Sequence, residues 1–117
     1  MEQQIQELID AKIELMKQGK MVEATEQFFA KDAVTIDFTG AVTSSREAMI
    51  NKMNGFLSSI AKVNEITFHN SAVSGNISFV EFTFDFDMTD GSKVLWHEVI
   101  RSVWESGRIV QEQFFTA

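Results

Sequence analysis

The chain has 117 residues, no cysteine, proline or tyrosine, and a net charge of −7. That length suits a single domain, 1–117, with one hydrophobic core. The acidic balance disfavours nucleic acid and anionic membrane surfaces as partners, and the missing thiols exclude disulfides, thiol catalysis and thiolate–metal sites.

No apolar run approaches the roughly 20 residues a helix needs to cross a bilayer. The first twelve residues are amphipathic and acidic, unlike a targeting peptide, so a cytoplasmic location is expected. Ile5, Leu8, Ile9, Ile13 and Met16 recur at helical spacing and predict a first helix that Gly19 ends. A second helix is expected over 20–30, with Val22, Thr25, Phe28 and Phe29 facing inward. The stretch 33–38 (AVTIDF) reads as a short strand stopped by Thr39-Gly40. Ser44-Ser45-Arg46-Glu47 reads as a capping box, with Ser44 the acceptor and Glu47 reaching back. It opens a third helix whose inner face carries Met49, Met53, Phe56, Leu57 and Ile60. From Val63 onward the pattern is strand, broken by turn signals at Ser74-Gly75-Asn76, Asp90-Gly91 and Ser106-Gly107. Three helices around one strand, then a four-strand meander, make an α+β pattern.

The register of the meander follows from its aromatics. Three-residue loops, Thr89-Asp90-Gly91 and Glu105-Ser106-Gly107, would pair Met88 with Ser92 and Trp104 with Arg108. One face then collects Val80, Phe82, Phe84, Phe86, Met88, Val94, Trp96, Ile100, Trp104, Val110 and Phe114. The other collects Glu81, Thr83, Asp85, Asp87, Lys93, His97, Arg101, Gln111 and Gln113. Two-residue loops would leave both faces half apolar, and a one-residue slip moves a whole apolar set to the wrong side. The three-residue register is therefore expected, with Asp87 opposite Lys93 as a favourable pair. It places two carboxylates, Glu98 and Glu112, on the apolar face, with Glu98 opposite Phe114 and Glu112 opposite Ile100.

Several segments carry a family resemblance. The passage from Phe28 to Gly40 is similar to the helix-to-strand junction of ketosteroid isomerases and SnoaL-like cyclases, an aromatic-Ala-x-Asp-Ala run followed by a strand and an aspartate before a glycine loop. Ser45-Arg46-Glu47-Ala48-Met49-Ile50 resembles the opening of their third helix, and Ser106-Gly107-Arg108-Ile109-Val110 their last hairpin. The motifs fall in the right order along nearly the whole chain. The chain thus resembles the ketosteroid isomerase/SnoaL-like branch of the nuclear transport factor two superfamily. The resemblance implies a cone-shaped, curved antiparallel sheet wrapped by three N-terminal helices, a cystatin-like α+β barrel around an apolar pocket. It also implies Asp37 as general base. In the isomerases a first-helix tyrosine and a protonated acid on the penultimate strand hold the enolate oxygen. Here there is no tyrosine, and Ile100 stands at the acid's position. Losing one oxyanion donor costs about 10²–10³ in rate, so isomerisation by that mechanism is not expected.

Asp37, Glu98 and Glu112 are the candidate catalytic residues. Asp37 at the rim of an apolar cavity would be a raised-pKa base; alternatively its carboxylate accepts backbone N–H groups in the Asp37-Phe38-Thr39-Gly40 turn. Glu98 and Glu112 would share a proton on an apolar face, or sit at a wet rim, or be neutralised by Arg46. Met53, Phe56, Phe82, Phe84, Trp96, Ile100 and Phe114 are the candidate ligand-binding residues, against the plain alternative of core packing. His97 and Glu98 are adjacent strand residues pointing to opposite faces, so they do not form a dyad. His69 and His97 are far apart, with no shared carboxylate at ligand spacing, and no metal site is expected. No resident cofactor is expected either.

The outward residues Leu95, Val99, Val103 and Phe115 suit a partner surface, and a homodimer through the outer sheet face is expected. Three functions stay open. The first is a carboxylate acid/base enzyme (isomerase, cyclase, dehydratase or hydrolase) acting on a small apolar molecule. The second is a non-catalytic binder of such a molecule. The third is a dimeric interaction module with a vestigial pocket.

Overall fold

Helix α1 (Glu2–Lys17) forms where Ile5, Ile9, Ile13 and Met16 line one stripe, and all four are buried. The computed structural model describes residues 1–116. Helix α2 (Met21–Phe28) ends before Ala30, because Phe29 already has extended backbone and pairs with Ile109 of the last strand. An aromatic residue at a helix end yields to sheet pairing when a partner strand is present. Strand β1 (Phe29–Ile36) therefore begins four residues sooner than the local pattern suggests. Strand β2 (Val42–Ser44) was not anticipated; three residues are too few for an alternation to register.

Helix α3 (Arg46–Ser58) is capped by Ser45, whose Oγ accepts from the Ala48 amide at 3.1 Å. The cap thus falls one residue after the expected Ser44, which is occupied in β2 opposite Val34. Strands β3 (Ile60–Ser74), β4 (Ile77–Met88), β5 (Lys93–Glu105) and β6 (Arg108–Thr116) form the meander. The sheet order is β2-β1-β6-β5-β4-β3. Its pairs are antiparallel except β1 with β6, which run parallel. The sheet is thus mixed and does not close, because the two outer strands lie at opposite edges. Register shifts along β3 give it the curvature that β-bulges produce.

The β4–β5 hairpin has the expected register. Met88 N–H donates to the Ser92 carbonyl at 2.8 Å, Phe84 opposes Trp96 and Asp87 opposes Lys93. The β5–β6 hairpin differs. Its loop is the two-residue Ser106-Gly107, both at positive φ, with Glu105 opposite Arg108 and Trp104 opposite Ile109. Such a turn matches the strand twist better than the longer loop. Val110 is then an extra, unpaired residue, and Val103 opposes Gln111. Ile109, not Val110, is the buried residue. The bulge restores the parity that a two-residue loop alone would have lost. Glu112 and Phe114 therefore stay on the inner face, but oppose Ser102 and Ile100 rather than Ile100 and Glu98.

The core lies between the inner sheet face and α1, with Phe82, Phe86, Ile100, Ile109 and Ile9 at its centre. No helix among the described residues is long and apolar enough to cross a membrane.

Candidate functional site

At one end of the sheet the helices stand off the strands and leave a cavity of about 400 Å³. That is within the size range of small-ligand pockets, so the interior is not packed solid with aromatic rings. Its walls come from every helix and from β1, β2, β4, β5 and β6. Met49, Met53 and Phe56 of α3 face Phe84, Phe86 and Trp96 across it. The capping at Ser45 sets the start of α3 and hence which residues look inward. Phe56 lies stacked on Trp96 at 5.2 Å between centroids and meets Phe86 edge-on at 5.9 Å. At the mouth, Phe38 touches the Trp96 ring edge-on at 5.9 Å and is 48% exposed.

Five of the seven expected ligand-binding residues line this space: Met53, Phe56, Phe84, Trp96 and Phe114. Phe82 and Ile100 do not. They are 0% and 1% exposed and belong to the core behind the cavity, Phe82 stacked under Phe84 and Ile100 opposite Val80. Both point to the inner face as expected, but the cavity occupies only part of that face.

Asp37, Glu98 and Glu112 all line the cavity, yet their surroundings differ. Glu98 projects from β5 among apolar side chains and is 7% exposed. No protein group among the described residues donates a hydrogen bond to it. Burial pushes its carboxyl up to about 7, with the nearby Glu112 carboxylate adding to the effect and Lys12 opposing it. Glu112 is engaged through one of its oxygens, Oε2. It accepts from Ser102 Oγ at 2.7 Å and pairs with Lys12 Nζ at 3.4 Å. Both members of that ion pair are buried, at 4% and 3% exposure.

Lys12 and Ser102 escaped the sequence reading. Lys12 lies three residues after Ile9 and four before Met16, on the apolar stripe of α1, and that position was the available signal. Ser102 shares strand parity with Glu98 and Ile100, and so faces inward. Arg46, considered as a neutralising partner for the glutamates, instead donates to the Phe29 backbone carbonyl at 3.2 Å.

Asp37 sits at the mouth, after the end of β1. Its Oδ1 accepts from Thr39 Oγ1 at 2.5 Å, Thr39 N at 2.8 Å and Ala41 N at 3.0 Å. Lys52 Nζ stands 3.8 Å from Oδ2. The Thr39 hydroxyl, helped by the two backbone amides and Lys52, holds this carboxyl below its ordinary range. The turn-stabilising contacts weighed for Asp37 are thus present.

On the outer face His69 and His97, far apart in sequence, are neighbours with ring centroids 5.3 Å apart. The bulge in β3 between Phe68 and Asn70 leaves His69 as the extra residue. His97 Nε2 meets Glu81 Oε2 at 2.5 Å, and His69 Nε2 meets Thr83 Oγ1 at 2.6 Å. Among the described residues no three His, Asp or Glu side chains are placed to hold a metal ion. Glu98 faces the cavity on the opposite side from His97, as strand alternation requires.

This architecture is similar to several solved structures. A proposed SnoaL-like polyketide cyclase from Mesorhizobium loti superposes with a TM-score of 0.86 at 25% identity, over 95% of this chain and 97% of that one. An NTF2-like protein of unknown function from Burkholderia pseudomallei gives 0.80 at 15% identity, over 100% and 92%. A protein of ketosteroid isomerase-like fold from Catenulispora acidiphila, in complex with trimethylamine, gives 0.76 at 17% identity, over 93% and 84%. The latter two, at such low identity, share the fold alone. No curated protein matches the chain. The SnoaL-like domain family matches residues 3–116, nearly the whole chain, and the protein belongs to that family.

Proposed function

We propose that the protein binds a small apolar molecule in the cavity and moves a proton on it, with Glu98 as the carboxylate that takes and returns the proton. The observation that carries this reading is a Glu98 at the cavity wall with no hydrogen-bond partner among the described residues and its carboxyl raised to about 7. Such a group is divided between base and acid near neutral pH, where a proton-transfer residue works best. Asp37 is the weaker base of the two, being tied to Thr39 and Ala41 and held ionised; in this reading it shapes the mouth. Glu112 contributes through its field on Glu98 and by anchoring Lys12.

The test is deuterium exchange from solvent into a panel of small apolar ketones with acidic C–H groups. Wild type should catalyse exchange on at least one of them. Glu98→Gln should lower that rate by about 10²–10⁴-fold, and Asp37→Asn should lower it far less. Equal exchange by wild type and Glu98→Gln refutes the assignment, as does no exchange above solvent by wild type.

A second reading, binding without chemistry, is favoured by the missing tyrosine and by Ile100 where the related isomerases carry an acid. In that case ligand affinity would survive Glu98→Gln and no exchange would be seen. We further propose a cytoplasmic homodimer joined through the outer sheet face, a reading supported by the exposure of Leu95 and Phe115 there, at 65% and 44%. Sedimentation giving a monomer at micromolar concentration would refute the dimer.

A further inference from the structure

We infer that Lys12 is an oxyanion donor, and that the cavity takes small apolar carbonyl compounds that form an enolate, or phenols that resemble one, with the oxygen on Lys12 Nζ. This inference rests on the proton-transfer reading of the same cavity and adds the group that would bear the developing negative charge.

Lys12 lines the cavity and is 4% exposed. A lysine side chain is almost never so buried unless it is paired. Its partners here are few and distant: Glu112 Oε2 at 3.4 Å and Met16 Sδ at 3.6 Å. Charge-assisted N–H···O bonds are typically about 2.7–2.9 Å, so the Glu112 contact is a loose one. The Phe29 ring, 5.9 Å from Nζ, is near the outer limit of a cation–π contact. An ammonium has three N–H donors. Two long contacts leave at least one donor without a protein acceptor among the described residues. The same Glu112 Oε2 accepts from Ser102 Oγ at 2.7 Å, a shorter contact than the one to Lys12, so the glutamate is held by the serine while the lysine retains donor capacity.

Lys12 and Glu98 are close enough that the lysine stabilises the ionised glutamate. A ligand between them would meet a proton acceptor and a fixed cation in one apolar enclosure. The Glu98 carboxylate takes a proton from the carbon beside the carbonyl. The C–H electron pair becomes the new C=C bond, and the C=O pair moves onto oxygen, where the Lys12 N–H groups hold it. Return of the proton from Glu98 to that carbon, or to a conjugated one, restores both carbonyl and carboxylate. No co-reactant is consumed. The remaining walls are aromatic and methionine side chains, which suits an apolar body. A polyanion is disfavoured by Asp37, Glu98 and Glu112 around the same space.

The test uses 4-nitrophenol, whose ionised form is read from its visible absorption band, titrated with pH in the presence of saturating protein. Bound to wild type, its apparent pKa should fall by about 1 unit or more below the value in buffer, as an opposite charge at contact distance produces. Lys12→Met with Glu112→Gln removes both charges together and spares the fold an unpaired buried ion. In that double variant, shown by its thermal melt to be folded, the preference for the phenolate should drop at least tenfold. Lys12→Arg should retain it. An unchanged shift in the folded double variant overturns the inference. So does a wild-type shift that is absent or upward, or wild type that does not bind the probe at millimolar concentration; these wild-type outcomes decide the matter even if no variant folds. No proton leaves carbon in this assay, so its result is separable from the exchange test of Glu98: phenolate binding should persist in Glu98→Gln.

Discussion

The deep end of the cavity and its mouth carry the same kind of group in opposite conditions. Deep inside, Glu98 has mostly apolar walls, no hydrogen-bond donor among the described residues and a like-charged neighbour, and its carboxyl is raised to about 7. At the mouth, Asp37 has three donors on a single oxygen and a lysine beside the other, and its carboxyl is lowered. The two residues differ by one methylene. What separates them is what each touches. A carboxylate that is already satisfied has little affinity to offer a substrate proton; one that is stranded has a great deal.

The comparison breaks first, and most severely, at the ion pair beneath Glu98. Glu112→Leu leaves Lys12 as a buried, uncompensated cation and takes the acceptor from Ser102. The expected loss is about 3–5 kcal/mol, a large part of the roughly 5–15 kcal/mol that holds a domain together. Urea unfolding measures it. Adding Lys12→Met to Glu112→Leu should recover most of the loss, because paired replacement of buried ions by apolar groups is close to neutral. Lys52→Met at the mouth removes the corresponding, exposed cation and should change little. Equal effects at the two ends would dissolve the distinction between them.

The next largest effect is the pH dependence contributed by Glu98. Its carboxyl rises from 4.5 in the unfolded chain to about 7 in the fold. The folded state therefore holds the proton more tightly. The stability linked to that proton is fully present below about pH 4.5 and is lost as pH rises through about 7. The displacement corresponds to about 3 kcal/mol. Glu98→Gln should flatten this fall between those two pH values, and above pH 7 the variant should be the more stable protein. Unfolding free energies measured across the range, for both proteins, read the difference directly. A wild-type profile identical to that of Glu98→Gln would mean that Glu98 is wetted in solution.

Much of this contrast was legible in the sequence, and its limits have physical causes. The inward parity of Glu98 followed from the period-two pattern around Phe82, Phe84, Phe86 and Trp96, which tolerates no slip. The turn contacts of Asp37 were the alternative offered by an aspartate two residues before Thr39 and three before Gly40; the expected raised carboxyl is instead lowered, because Thr39 and Ala41 supply donors. Glu112 reached the expected face through an unexpected route. The shorter Ser106-Gly107 turn and the extra residue Val110 cancel in parity, but they shift its partner from Ile100 to Ser102. Alternation records which face a residue occupies and not which residue it opposes. The parallel pairing of β1 with β6 was invisible because it joins Thr35 to Glu112 across most of the chain. Lys12 was missed because one cation on an apolar helical stripe ordinarily extends its amine to solvent. Its buried acceptor arrives from the last strand. The nearness of His69 to His97 likewise required a bulge in β3.

The smallest expected effect belongs to the mouth and sharpens the comparison by its direction. Asp37→Asn keeps a carbonyl oxygen able to accept from Thr39 and Ala41, so the turn should survive and ligand affinity should barely move. What changes is the charge. Asp37 is lowered in the fold, so its stabilising contribution is present above its ordinary carboxyl range and fades as pH falls through the lower folded value, the reverse of the Glu98 trend. Asp37→Asn should therefore remove a shallow acid-side loss of stability and leave the slope up to pH 7 untouched, whereas Glu98→Gln removes that slope and leaves the acid side alone. The double variant should show the sum of the two profiles if the deep end and the mouth act independently. A departure from that sum would show the two carboxylates sensing one another across the cavity, and the division between them would then be one of degree.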